Sequence, residues 1–173
     1  MRLTIILACL LLFIGCNKTK KMKLGDTYQG GKIAYLDASG EHGMIVSPSD
    51  LISQCEWGCN GIEIIGADST KYGYGKENTN DILLGCNQVS SAAKICDNYS
   101  VGGYSDWFLP SIDELQIIYD NRVVLNIDVI GISPFYWSST EYNANNAKGF
   151  SFSGTAAYSA KNNLYSVLAV RYF

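Results

Sequence analysis

Histidine is nearly absent from this chain, and the one present, His42, sits in a glycine-flanked turn with no partner motif. A zinc site built on imidazoles is therefore excluded, and no Cys-x-x-Cys spacing offers thiolates instead. No cysteine follows Cys96, and nothing arranges a nucleophile beside a base, so catalysis has no visible machinery. Basic charge is scarce too: 13 Lys and Arg stand against 16 Asp and Glu, for a net charge of −3. With no basic stripe interleaved with aromatics, nucleic acid is excluded as a partner. Prolines number three, Pro48, Pro110 and Pro134, and no repeat, linker or low-complexity break interrupts Leu24 to Phe173. What is abundant is Gly, Ser, Asn and Tyr, which suits one loop-rich domain of about 150 residues with a sizeable core.

At the N-terminus, Arg2 precedes an uncharged run of 13 residues, Leu3 to Gly15. A membrane-spanning helix needs about 20, so the run reads as the core of a signal peptide over residues 1–15. It closes on Phe13-Ile14-Gly15-Cys16, similar to a bacterial lipobox, with Phe13 where leucine is usual. Cys16 is the expected lipidation site, acylated by palmitate-type chains. At about 0.8 kcal/mol per buried methylene, two or three chains hold a protein firmly to the bilayer. The expected location is the cell envelope, anchored to a membrane and by preference the outer one, with its face left open. Residues 16–24 form a polar, lysine-rich tether, and residues 25–173 form the domain. Loss of Arg2 with the leader leaves 12 basic against 16 acidic residues, a net charge of −4.

Within the domain, Ser111 and Glu114 form a capping box. The spacing predicts a helix starting at about Ile112, with Leu115, Ile118 and Tyr119 on its apolar face and Trp107 and Phe108 packed under its first turn. Ile82, Leu83, Cys86, Val89, Ala92, Ala93 and Cys96 recur at helical steps and predict a second helix from about Asn80 to Cys96. Lys32–Leu36 and Gly43–Ser47 flank a turn and predict a β-hairpin. Tyr136–Ser139, Gly149–Phe152 and Ser166–Phe173 read as further strands. Leu51 to Tyr74 reads as irregular. The order β-β-α-α-β-β-β gives an α+β class with an antiparallel sheet.

Four cysteines remain after the leader and the lipidated Cys16, in a compartment that permits disulfides. If Cys86 and Cys96 share one straight helix they stand about 15 Å apart, beyond the roughly 7 Å reach of a bridge. Two pairings survive, Cys59–Cys86 with Cys55–Cys96, or Cys55–Cys86 with Cys59–Cys96; the first is favoured.

The blocks Gly30-Gly31-Lys32-Ile33-Ala34-Tyr35-Leu36, His42-Gly43-Met44-Ile45-Val46, Ala92-Ala93-Lys94-Ile95-Cys96, Gly102-Gly103-Tyr104-Ser105-Asp106-Trp107-Phe108-Leu109-Pro110-Ser111, Tyr136-Trp137-Ser138-Ser139-Thr140-Glu141 and Val170-Arg171 occur in one order. That succession resembles the bacterial family named for the C-terminal domain of the Legionella collagen-like adhesin. Leu109-Pro110-Ser111 with Glu114 is also similar to a block of formylglycine-generating-enzyme-like proteins, and both groups belong to the C-type-lectin-like superfold. The resemblance implies termini side by side in one sheet, two flanking helices and long loops on one side. Its named member is an adhesin that binds sulfated glycosaminoglycans. A sulfated polyanion fits poorly with this chain's negative charge, and the lectin-type calcium triplets are missing.

The resulting expectation is a non-catalytic envelope lipoprotein whose domain binds glycans or mediates adhesion. A structural lipoprotein engaging an envelope protein is the alternative, and an enzyme of the formylglycine-generating type a remote one, since it needs a late thiol pair. Loops from about Gln54 to Asn78 and Glu141 to Asn163 are the expected contact surface, with Tyr142, Asn143, Asn145, Tyr72 and Tyr74 as ligand-binding candidates. No cofactor is required; calcium is the one the residues allow, through Glu77, Asn78, Asn80 and Asp81, although capping a helix N-terminus accounts for them as well. Asp106 and Arg171 are a candidate ion pair between the helix start and the last strand.

Overall fold

A computed structural model describes residues 21–127 and 135–173. Among the described residues, nine strands and four helices follow in the order β1 Thr27–Tyr28, β2 Gly31–Leu36, β3 Gly43–Val46, β4 Ile52–Cys55, α1 Gly75–Gly85, α2 Ala92–Asp97, α3 Ile112–Asp120, α4 Arg122–Leu125, β5 Phe135–Asn143, β6 Asn146–Ser151, β7 Thr155–Ala160, β8 Tyr165–Val167 and β9 Val170–Tyr172. They form two sheets, β1-β2-β3-β9 and β4-β8-β5-β6-β7. The class is mixed α+β with strands predominant. The strand pairs are antiparallel except β5 with β8, which meet in parallel at Tyr136 and Ser166.

The predicted hairpin is β2–β3. The predicted last strand is two: β8 lies in the larger sheet and β9 in the smaller, so the chain crosses between sheets at Leu168 and Ala169. Both of those residues are fully buried, and this crossing is what joins the two halves of the core. First and last strands share the smaller sheet, and the rings of Tyr28 and Phe173 meet edge to face at 5.1 Å.

Helix α3 begins at Ile112, as its capping box requires: Ser111 Oγ accepts from the Glu114 amide and Glu114 Oε2 accepts from the Ser111 amide at 2.8 Å. Glu114 is fully buried and gathers more than a cap. Its Oε1 accepts from the Gly73 amide at 2.9 Å and from the Tyr172 hydroxyl, so one carboxyl ties α3, the turn before α1 and β9 together. Gly75 opens α1 because a Cβ there would stand 2.2 Å from Glu114 Oε2. Burial pushes the Glu114 carboxyl above its ordinary pKa, against the pull of these donors. Phe108 packs with Ile112 in the core beneath α3 and bridges to Val170. Trp107, expected beside it, turns to the other cluster and meets Tyr99.

The single helix predicted from Asn80 to Cys96 is instead α1 and α2. Cys86 is extended at φ −129° and ψ 112°, closing α1, and Ser91 caps α2 afresh by accepting from the Lys94 amide. Val89, assigned to the apolar face, is 82% exposed in the break. Asn78, Asn80 and Asp81 do not cap α1. They lie inside it, where Asn78 Nδ2 donates to Ser69 O at 2.7 Å and Thr79 Oγ1 donates to Gly75 O and accepts from the Leu109 amide.

Because Cys86 and Cys96 sit on separate segments, the spacing argument about their shared helix fails. Cys59 and Cys86 are nonetheless bonded, with Cα atoms 5.7 Å apart. That bridge excludes Cys55–Cys86 with Cys59–Cys96. The expected companion, Cys55–Cys96, is not formed: both are buried free thiols in the same apolar cluster. Burial raises Cys55 to about 12 and Cys96 well above its ordinary value, so neither carries the thiolate that exchange requires.

Candidate functional site

The segment expected to be a contact loop from Glu141 to Asn163 is a three-stranded antiparallel surface. Lys148 pairs with Tyr158, Phe150 with Ala156, and Glu141 with Ala147. Alternation along the strands sends residues 148 and 150 to one face and residue 147 to the other. On the outer face, Tyr142 and Tyr158 lie 4.6 Å apart and 10° from parallel, and are 53% and 61% exposed. An open stack of two rings offers a flat apolar platform edged by hydroxyls.

Beside the stack runs a groove of about 390 Å³ between this face and the N-terminal half of α3. Phe150 and Ala156 line it below and Ile112 beside; Thr70, Asp113, Gln116 and Lys148 supply hydroxyl, carboxylate, amide and ammonium groups. The Asp113 amide donates to Thr70 O at 3.0 Å, which fixes the loop before α1 against the helix. A cleft of equal volume at Ser49, Asp50, Leu51, Ile95, Asn98 and Tyr99 has no stacked pair, and Tyr136 already engages Asp50 there.

Of the five ligand-binding candidates, Tyr142 alone lines the groove. Asn143 builds the hairpin turn: its Oδ1 accepts from the Asn145 and Asn146 amides at 2.9 Å. Asn145 is exposed in that turn. Tyr72 packs against Tyr35 and Tyr172 at 4.8 and 5.9 Å, and Tyr74 is the residue before α1. The calcium candidates do not converge, since Asn78 faces the core while Glu77 and Asn80 are exposed. Among the described residues no three His, Cys, Asp or Glu side chains gather to hold a metal. His42 is exposed at the end of the β2–β3 turn. Asp106 and Arg171 do pair, Nε to Oδ1 at 2.6 Å and Nη2 to Oδ2 at 2.9 Å, which holds the Asp106 carboxyl below its usual range.

Tyr158, Lys148, Asp113 and Gln116 escaped the reading of the sequence. The alternation Lys148-x-Phe150 with Ala156-x-Tyr158 is the signal that carries them, but Ala156 and Ala157 weaken it, alanine being a poor strand former.

A second missed feature supports the site from below. Lys161 and Glu141 form an ion pair with side chains 0% and 5% exposed. Lys161 Nζ also donates to Ile62 O at 2.7 Å and sits 4.5 Å over the Trp57 ring, while Glu141 accepts from the Ile64 amide at 3.0 Å. The segment from Trp57 to Ala67 is thereby pinned to β5 and the end of β7.

Fold and site together define a mixed, strand-rich domain with a polar groove and an aromatic platform. The chain belongs to the Lcl C-terminal domain family, whose model matches residues 50–171. No curated protein matches it. Among solved structures, its fold is similar to that of a fimbrial protein from Bacteroides ovatus ATCC 8483, at 15% identity and a TM-score of 0.59. The match covers 86% of this chain and 48% of the other, so this chain spans about half that protein's length.

Proposed function

We propose that this protein is a cell-envelope lipoprotein, acylated on Cys16, whose domain is a non-catalytic glycan-binding or adhesive module with its site in the groove between α3 and β6–β7. The observation that carries the reading is the exposed Tyr142–Tyr158 stack beside a groove lined by mixed polar groups. A sugar ring presents an apolar face and an equatorial rim of hydroxyls; the first suits the platform and the second suits Thr70, Asp113, Gln116 and Lys148. One cation among the lining groups, on a domain of net negative charge, favours a neutral glycan over a sulfated one. We read the architecture as C-type-lectin-like, supported by first and last strands sharing one sheet. The fimbrial character of the structural neighbour is in keeping with adhesion.

A glycan array followed by calorimetry tests the site. Tyr158→Ala and Tyr142→Ala are each expected to weaken binding about tenfold or more, as buried anchors of an interface do, with the melting temperature nearly unchanged. Asn145→Ala is expected to leave affinity intact. Full binding by the tyrosine variants, or loss confined to the cleft at Asp50 and Tyr99, overturns the groove assignment; turnover of a substrate overturns the class.

Anchoring is tested separately. Cys16→Ser is expected to abolish fatty-acid labelling and release the protein from the membrane fraction. Labelling that persists in that variant rules out Cys16 as the acylated residue.

A further inference from the structure

We infer that the α4 end of the domain is its membrane-docking face, seated on the bilayer surface beside the lipid anchor; this rests on the reading of Cys16 as acylated. Helix α4 shows Val123 76% and Val124 51% exposed, with Leu24 at 38%. These residues form one patch, because the chain entering from the tether lies on α4: a Cβ on Gly25 would stand 2.6 Å from Val124 O and 3.2 Å from Val124 Cγ2. Lys32 Nζ donates to Leu125 O and holds β2 to the same helix end. In sequence, exposed Lys21 and Lys23 precede Leu24, and Arg122 opens α4, its guanidinium 4.0 Å from the Tyr119 ring centroid. Aliphatic side chains with cations beside them in sequence match the boundary between acyl chains and anionic headgroups; Asp26 and Asp120 are the acids two residues from Leu24 and from Arg122.

Tether length selects the bilayer as the occupant. From Cys16 to Leu24 the chain reaches at most about 28 Å when fully extended, whereas a globule of this size is about 35–40 Å across. Of the exposed apolar side chains, those at the tether's exit are the ones the anchor brings to the surface first. Two valines would bind lipid weakly from free solution. Held at the surface by an acyl anchor they act as an intramolecular second contact, for which weak affinity suffices. The groove's helix residues Ile112, Asp113 and Gln116 occupy α3 up to its midpoint, and α4 follows that helix's last residue.

The test uses the full acylated protein in vesicles of phosphatidylethanolamine and phosphatidylglycerol, part of the lipid brominated. Val123→Trp is compared with Leu84→Trp, a site 83% exposed on α1, against the background of the native tryptophans. Bromolipid quenching of the Val123→Trp signal is expected to exceed that of Leu84→Trp about twofold or more, with a blue-shifted emission that marks interfacial burial. The pair Val123→Asp and Val124→Asp is expected to raise amide exchange across residues 122–126 on vesicles, with an unchanged circular dichroism spectrum. If the protein floats with the vesicles but position 123 is quenched no more than position 84, the docking face is wrong and the anchor stands. If the protein neither floats nor carries acyl chains, both are wrong. Protection of 122–126 that appears only as protein density on the vesicles rises assigns the face to a second copy and overturns the inference.

Discussion

Replacing Lys161 by methionine should destabilise the domain by about 3–5 kcal/mol, the cost of stranding one member of a buried ion pair. The pair is enclosed, with side-chain exposures of 0% and 5%. Methionine fills most of the volume but removes the cation that Glu141 pairs with and that lies over the Trp57 ring, and leaves Ile62 O without the donor that Lys161 Nζ supplies. For a domain of this size the loss should appear as a fall of roughly 10 °C in melting temperature. Glu141→Gln added to Lys161→Met should recover a large part of it. The amide keeps an acceptor for the Ile64 amide, now met by Glu141 at 3.0 Å, and places no charge in the core. Urea denaturation of the single and double variants measures the difference. A single variant within about 1 kcal/mol of the parent would mean that the pair is solvated like a surface bridge.

Cleaving the other clamp on the same segment should cost about 3 kcal/mol. Cys59→Ala with Cys86→Ala opens a loop closed at a sequence separation of 27, and the chain entropy of the unfolded state then rises. Gly58, at φ +111° with Ser91 Cβ only 2.6 Å from where its own Cβ would stand, fits the chain tightly beside the bridge. Hydrogen exchange across residues 56–67 should quicken in that variant before the rest of the domain does. Since Lys161–Glu141 and the disulfide restrain the same segment, the combined variant should lose less or more than the two losses added. Non-reducing peptide mapping should show Cys59 joined to Cys86, with Cys55 and Cys96 alkylated only after unfolding. A Cys55–Cys59 bridge or four free thiols would refute the connectivity.

Local rules that act over a few residues were legible directly. Ser111 and Glu114 announced the start of α3 because a capping box is complete within four residues. The β2–β3 hairpin announced itself because two apolar runs closed on a short polar turn. Reading α1 and α2 as one helix failed for a related reason. Apolar spacing continued through Cys86 and Val89, but periodicity does not register that the chain at Cys86 has turned extended to meet Cys59. The Ser166–Phe173 run failed likewise, since a continuous apolar strand and two strands in different sheets bury the same residues.

The groove was half legible. Tyr142 stood out as an exposed-type aromatic among asparagines, yet its partner Tyr158 and the lysine between them could not be joined to it without strand register. By itself the sequence determined the class of fold and the family, because those depend on composition, order and short-range chemistry. Tertiary structure alone decided that Lys161 is buried against Glu141, that Glu114 is a junction as well as a cap, and that a supposed loop is a sheet face with a groove. Each of those depends on partners brought together from distant parts of the chain, 20 residues apart for Lys161 and Glu141 and 58 for Glu114 and Tyr172. A charge's burial and a ring's neighbour are properties of the packed core, and no window along the chain contains them.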